Sequence, residues 1–500
     1  MELVAYEEND ADVSKFFPPM SEHISINIGR NIARTRVVVI VAFCVNALAN
    51  VLLIGFFARR GGLELVGAWA FLNAIILNTL ILDLGFTNAL TYKIGRDGVL
   101  AALPMIYRLL RWAGIVLLAI ILAMIVVAIL GLPIGPGVGF ACVAADMQLA
   151  ANWLCAIRMG RHEQYWYNVQ TVVRVIVQSF SAAGLVIWFP NNPEPALGAA
   201  FLLGSMCAFW LSFYLVRGDL YMGTGVASLS QVRQVIVGFG LENAMQRAFL
   251  PLSQLTVAHF LGATALGVFT IALRIPFVLN QSVSEALRGL LPGIAGALRD
   301  GDSVGVVRLL REATITQIVL IVPTMTFFII HTPILLSIWI GQGSGETVFA
   351  IRMLCTALAF VTVATPFYWT LQASGNVHLL GFLGSVRLIA ALSLGATVMF
   401  FGGGIIGFVA VFALVQTADA LLTILIVEIK FGFFTKSIHN LLKVRLAVYL
   451  IAAVVLNLLA KHWFETGFSS GFQVVSLITL NVFLIGCPGL LALRRGNFIS

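Results

Sequence analysis

The feature that most limits how this chain can fold is a succession of apolar runs, each about 20 residues long, separated by short polar turns. A helix of that length just crosses the hydrocarbon of a bilayer. The runs fall at 36–58, 66–90, 112–131, 137–158, 169–189, 196–216, 234–258, 265–292, 313–340, 347–371, 377–400, 405–429, 444–462 and 472–493. They predict an all-α integral membrane protein of about fourteen transmembrane helices, numbered here as spans 1 to 14. Composition agrees, with only 10% charged residues where a soluble chain carries about 25%.

Charge placement orients the spans. Lys and Arg crowd the turns on the side of the termini, and only Arg59, Arg60 and Lys461 lie opposite. This asymmetry predicts that both termini are cytoplasmic. The first 35 residues are acidic, with Glu2, Glu7, Glu8, Asp10 and Asp12, and lack the basic start of a cleavable leader. They read as a cytoplasmic tail. The net charge of +8 reflects this topology and not a face for nucleic acid. The outer turns (59–65, 133–136, 190–195, 341–346, 401–404 and 461–471) are too short to hold a catalytic domain, so the chain reads as no enzyme.

The chain also repeats itself. At a shift of 200, Ala58, Gly62 and Gly67-Ala68-Trp69 meet Ala258, Gly262 and Gly267-Val268-Phe269. Arg96-Asp97-Gly98 meets Arg299-Asp300-Gly301 at a shift of 203. The second copy starts six spans after the first, and an even number per copy gives both the same orientation. The expected organisation is a tail (1–35), a six-helix bundle (36–216), a linker (217–233), a second six-helix bundle (234–429), two added spans (430–493) and a cytoplasmic end (494–500). A site between the two pseudo-symmetric bundles is expected.

Polar stripes point to that site, since residues 3, 4, 7 or 11 apart share a helix face. Span 8 aligns Arg274, Gln281, Glu285 and Arg288; span 7 aligns Asn243, Gln246, Arg247 and Gln254, with Glu242 beside them. Span 5 aligns Gln170, Arg174, Gln178 and Ser181, and span 1 offers Asn46 and Asn50. Charge in hydrocarbon is costly, so such residues face protein or water and mark function. Arg274, Arg247, Arg174, Gln281, Gln246, Asn243, Asn46 and Asn50 are the substrate-binding candidates, since arginine grips phosphate bidentately and stays charged when desolvated. Internal ion pairing is the competing reading, through Glu285–Arg288, Glu242–Arg247 and Asp419–Arg387. Glu242, Asp83 and Asp146 are candidates for coupling to a proton or sodium gradient; for Asp83, bracing or capping of its helix is the alternative. The scattered histidines and cysteines show no metal-ligand spacing and there is no ATP-binding P-loop, so no bound cofactor is expected.

Gly62-x4-Gly67-Ala68-Trp69, Leu82-Asp83-Leu84-Gly85, Gly267-Val268-Phe269, Ala272-Leu273-Arg274, Leu291-Pro292 and Arg299-Asp300-Gly301-Asp302, taken in order, resemble the Wzx-like polysaccharide-export flippases. These belong to the multidrug/oligosaccharidyl-lipid/polysaccharide (MOP) exporter superfamily, with the multidrug (MATE) exporters and lipid II flippases. The resemblance implies movement of undecaprenyl-pyrophosphate-linked oligosaccharide across a bacterial inner membrane by alternating access, for surface polysaccharide assembly. It implies the polyprenyl-pyrophosphate-linked oligosaccharide and the bilayer as partners, and leaves room for other polysaccharide-assembly proteins. Lipid II flippases place cavity arginines in their first two helices, whereas span 1 here offers Asn46 and Asn50; only the span-8 arginine carries over, onto Arg274. The alternatives are a MATE-like cation-coupled exporter of small amphiphiles and, more distantly, a polysaccharide polymerase or ligase.

Overall fold

The computed structural model describes residues 22–83, 86–130, 135–161, 163–220, 229–287, 300–341 and 344–431, with a few isolated positions beyond them (294, 296–298, 454, 455, 457 and 458). Spans 13 and 14 therefore lie outside the described residues, apart from those four positions. The helices are α1 (Glu22–Thr79), α2 (Phe86–Asp97), α3 (Val99–Ile129), α4 (Pro136–Gly160), α5 (Tyr165–Trp188), α6 (Pro193–Leu220), α7 (Leu229–Leu287), α8 (Ser303–Ile340), α9 (Gly345–Ala373), α10 (Val377–Phe400) and α11 (Gly404–Phe431). Ten of these are long and apolar enough to cross a bilayer. Two of the ten, α1 and α7, each contain a kink and supply two spans, so spans 1 to 12 all have a helical counterpart.

The kinks fall where turns were expected. Residues 59–65 were expected to be a turn between spans 1 and 2, and there the two limbs of α1 meet at Gly62, whose backbone is not helical (φ 67, ψ −164). Its partner α7 bends at Gly262 (φ 80, ψ −176). Both pairs of angles lie where essentially only glycine goes, and a side chain there would cost about 1–3 kcal/mol. One departure from the expected layout is span 2, which was expected to continue to residue 90. It ends at Thr79 in a short 3-10 turn, Leu80–Asp83, and the chain restarts as α2. The Asp83 carboxylate takes the Thr87 backbone N–H at 3.2 Å, as a side chain capping the new helix does. The turn before span 3 is likewise helical, α3 beginning at Val99. Span 9 is also longer than expected, because Asp302 caps α8 by accepting from the Gly305 N–H at 2.8 Å.

The repeat seen in the sequence is present in space. Gly98 (φ 83) and Gly301 (φ 69), related by the shift of 203, make equivalent left-handed turns before α3 and α8. A Cβ on Gly67 would fall on the Ala263 carbonyl, and a Cβ on Gly267 would fall on the Leu63 carbonyl. These contacts exchange under the shift of 200, which is the signature of a pseudo-two-fold axis between α1 and α7. Small residues allow such backbone approach between membrane helices. Two residues further on, Trp69 stacks on Phe201 of α6 (ring centroids 4.1 Å). Phe269 meets Phe408 and Phe412 of α11 edge-on at 5.3 and 5.4 Å. Each half thus anchors its second span on its sixth, and the halves meet mainly along α1 and α7. The end of the bundle at Gly62 and Gly262 is called the kink end below.

Candidate functional site

The principal polar node between the halves is built on Asp83. This carboxylate is 2% exposed, and its Oδ1 accepts from Thr87 Oγ1 at 2.8 Å and from Trp153 Nε1 of α4 at 2.8 Å. Its Oδ2 lies 3.4 Å from Arg247 Nη1 of α7. Residues 164 apart in sequence are thus joined across the interface. The Arg247 side chain is 45% exposed, while that of its partner is buried. The phenol of Tyr167, in the first turn of α5, lies within Coulombic reach of Arg247, Arg174 and Asp83. Two arginines, one from each half, thus lie near one phenol, and one of them, Arg247, pairs with Asp83.

Arg174 is held by its helix neighbours. Gly204 of α6 packs against its backbone, where a Cβ would come within 2.9 Å of the carbonyl. Its Nε is buried with no hydrogen-bond acceptor among the described residues. Arg274 is in the same condition on the second limb of α7, with Nε buried and unpartnered. One turn before it the buried Thr270 hydroxyl also lacks a partner. Buried polar groups normally find partners, so an interior stripe of unfilled donors is an unusual resource.

Other candidates are already engaged. Asn50 Nδ2 donates to Asn46 Oδ1 at 2.7 Å and to the Asn46 carbonyl at 2.8 Å, so this pair is satisfied largely by itself. Gln246, expected to face substrate, instead accepts from Arg387 Nη2 at 2.9 Å. Arg387 also reaches Asp419 Oδ2 at 3.0 Å and lies 4.6 Å over the Phe249 ring. The Asp419–Arg387 pairing offered as the competing reading is therefore formed. Arg247, for which Glu242 was the expected structural partner, pairs with Asp83. The side chains of Asn243, Glu242, Glu285 and Arg288 lie outside the described residues. Gln281 is exposed near the end of α7. Asp146 of α4 is 4% exposed and sits two turns before Trp153 on the same face, a separate acid within the first half. Among the described residues no His, Cys, Asp and Glu gather as metal ligands.

Sequence reasoning passed over Trp153 and Tyr167. Tyr167 was legible, since it lies seven residues before Arg174 and extends the span-5 stripe by two turns. Trp153 gave no such signal, because its indole N–H matters only once Asp83 is placed beside it.

Neither a family model nor a curated protein matches this sequence. Solved structures do. An outward-facing multidrug resistance MATE transporter of the MOP superfamily aligns at TM-score 0.59 and 15% identity, over 84% of this chain and 100% of its own. A MOP superfamily transporter from Pyrococcus furiosus aligns at 0.58 and 14% identity over 84% of this chain and 100% of its own. A mutant of the Vibrio cholerae MATE transporter VcmN aligns at 0.56 and 12% identity, over 82% of this chain and 98% of its own. The chain has the MATE fold. Within that fold α1 and α7 face each other across the pseudo-two-fold axis, and the node of Asp83, Arg247, Arg174 and Tyr167 lies between the halves they begin.

Proposed function

We propose that this protein is an alternating-access flippase for an anionic, lipid-linked oligosaccharide, carried by its polyprenyl pyrophosphate across a bacterial inner membrane for surface polysaccharide assembly. One observation carries the reading: among the described residues Arg174 and Arg274 each have a buried Nε without an acceptor, while the Arg247 side chain is 45% exposed. Cationic drugs would call for carboxylates, whereas guanidinium groups suit phosphate, which they bind with two parallel hydrogen bonds. In this reading both termini are cytoplasmic, the kink end faces the periplasm, and the sugar passes between the halves while the lipid tail stays in the bilayer. Spans 13 and 14 complete a fourteen-helix protein with two six-helix bundles. Asp146 serves as the site coupled to a proton or sodium gradient, and Asp83 braces the interface.

Deleting the gene tests this directly. Completed lipid-linked repeat units should accumulate on the cytoplasmic leaflet, and Arg274→Ala should reproduce that accumulation with normal protein levels. Arg274→Lys should restore part of the export, because a point charge replaces the fork. Full export by Arg274→Ala would remove this residue from the site. Asp146→Asn should remove the dependence of transport on pH or sodium; an unaltered dependence would make Asp146 structural.

The second reading is a MATE-like cation-coupled exporter of small amphiphiles, favoured by the fold of the solved neighbours and by the separate buried acid Asp146. One of those neighbours is described as having a binding pocket of reverse polarity that suggests a different function, so pocket charge is a fair discriminator within this fold. A deletion strain with altered drug sensitivity and intact surface glycan would favour the exporter.

A further inference from the structure

A cavity of about 550 Å³ lies at the kink end within the first half. Its walls come from the bend of α1 (Arg60, Glu64, Leu65 and Ala68), the end of α5 (Val186) and the start of α6 (Glu194). Such a volume suits a small ligand. The charges in it are mixed, one cation and two carboxylates, and among the described residues Arg60 and Glu64 form no ion pair with each other or with Glu194. Glu194 is pinned against the first turn of α4, where a Cβ on Gly135 or Gly137 would overlap it. One of its oxygens, Oε1, is buried with no donor among the described residues. A buried carboxylate oxygen without a donor is costly, and a cation beside it offsets that cost.

Depth narrows the ligand. Beside the cavity Trp188 is 80% and Phe189 53% exposed, and at the same end Phe400 and Phe401 are 76% and 80% exposed. Exposed aromatic side chains at the ends of spanning helices mark the membrane–water interface. The cavity thus opens at the level of phospholipid head groups, with apolar walls for a glycerol backbone. We propose that it binds the head group of a phospholipid bearing a primary amine. Arg60 takes the phosphate, Glu64 and Glu194 take the ammonium through its three N–H donors, and Leu65, Ala68 and Val186 cover the glycerol. This site is separate from the node between the halves, so its failure leaves the transport reading intact.

The test uses the purified full-length chain in detergent, with phosphatidylethanolamine, phosphatidylcholine or phosphatidylglycerol added, read by native mass spectrometry and by thermal melting. Phosphatidylethanolamine should be retained about tenfold better than the other two, the ratio expected of one charge-assisted hydrogen bond. Glu64→Gln, at an exposed position that tolerates change, should reduce this preference, and Glu64→Gln with Glu194→Gln should abolish it. Equal retention of all three lipids overturns the proposal, as does a preference that survives the double substitution. Preferential retention of phosphatidylglycerol would assign the cavity to anions held by Arg60 alone. An equal melting shift with soluble phosphoethanolamine would show that the lipid portion plays no part, and would overturn the assignment to a phospholipid.

Discussion

At the kink end the two halves meet through backbone, with Gly67 against Ala263 and Gly267 against Leu63. A polar rim completes the contact: Arg59 donates to the carbonyls of Ile338 and Trp339, and Trp339 Nε1 donates to the Val51 carbonyl at 2.7 Å. Among the described residues no ion pair joins the halves there. At the other end, among the described residues, the halves meet through charge, Arg247 on Asp83, with the Arg247 side chain 45% exposed. The first contact is dense and dry and depends on the absence of side chains. The second depends on two particular side chains and is open to solvent screening. Among the described residues packing holds one end and a single ion pair bridges the other, so the two contacts can be broken independently.

The largest effect is expected from filling the dry contact. Gly267→Val puts a Cβ on the Leu63 carbonyl with two methyls beyond it, and because backbone must move the cost should exceed the roughly 1–3 kcal/mol typical of overpacking. In an otherwise cysteine-free chain, labelling of a cysteine at position 63 by a membrane-impermeant reagent should rise by about tenfold or more, the ratio for a shift of 1.4 kcal/mol. Unchanged labelling with retained activity would show that the glycines do not hold this end shut.

A smaller effect should follow at the charged end. Asp83→Leu strips acceptors from Thr87 and Trp153 and the partner from Arg247, and should cost about 3 kcal/mol. Arg247→Gln should cost under about 1 kcal/mol, because its side chain is 45% exposed and screened. Melting of the two variants checks this asymmetry, and equal losses would make the ion pair, rather than the buried cap, the stabilising feature.

The smallest effect is at the rim. Trp339→Phe removes one hydrogen bond to Val51 and keeps the ring against Gly55, for a loss of about 1 kcal/mol in the same assay. A loss as large as that of Asp83→Leu would move the weight of the kink end from its glycines to its rim.

Much of this architecture was legible beforehand. The spans follow from run length, and the glycine pairs at 62/262, 67/267 and 98/301 announced both the bends and the axis between the halves. The turn expected at 59–65 is reduced to one non-helical glycine, Gly62, at which the two limbs of α1 meet. The break at Leu80–Asp83, by contrast, was hidden, since hydropathy does not register a carboxylate that caps the next helix. For the site, periodicity identified which residues share a stripe and therefore avoid lipid.

Sequence alone determined that this chain crosses the membrane repeatedly, that it does so twice to one plan, and that its interior carries arginine. Those properties are local: hydrophobic length, glycine conformation and helical phase are all carried by neighbouring residues. Tertiary structure decided which arginine is spent and which is left. Gln246 and Asp419 are occupied by Arg387, Asp83 is occupied by Arg247, and Arg174 and Arg274 form no ion pair among the described residues. Helical phase gives a side chain its direction and not its partner, and the partners here come from helices up to 164 residues away.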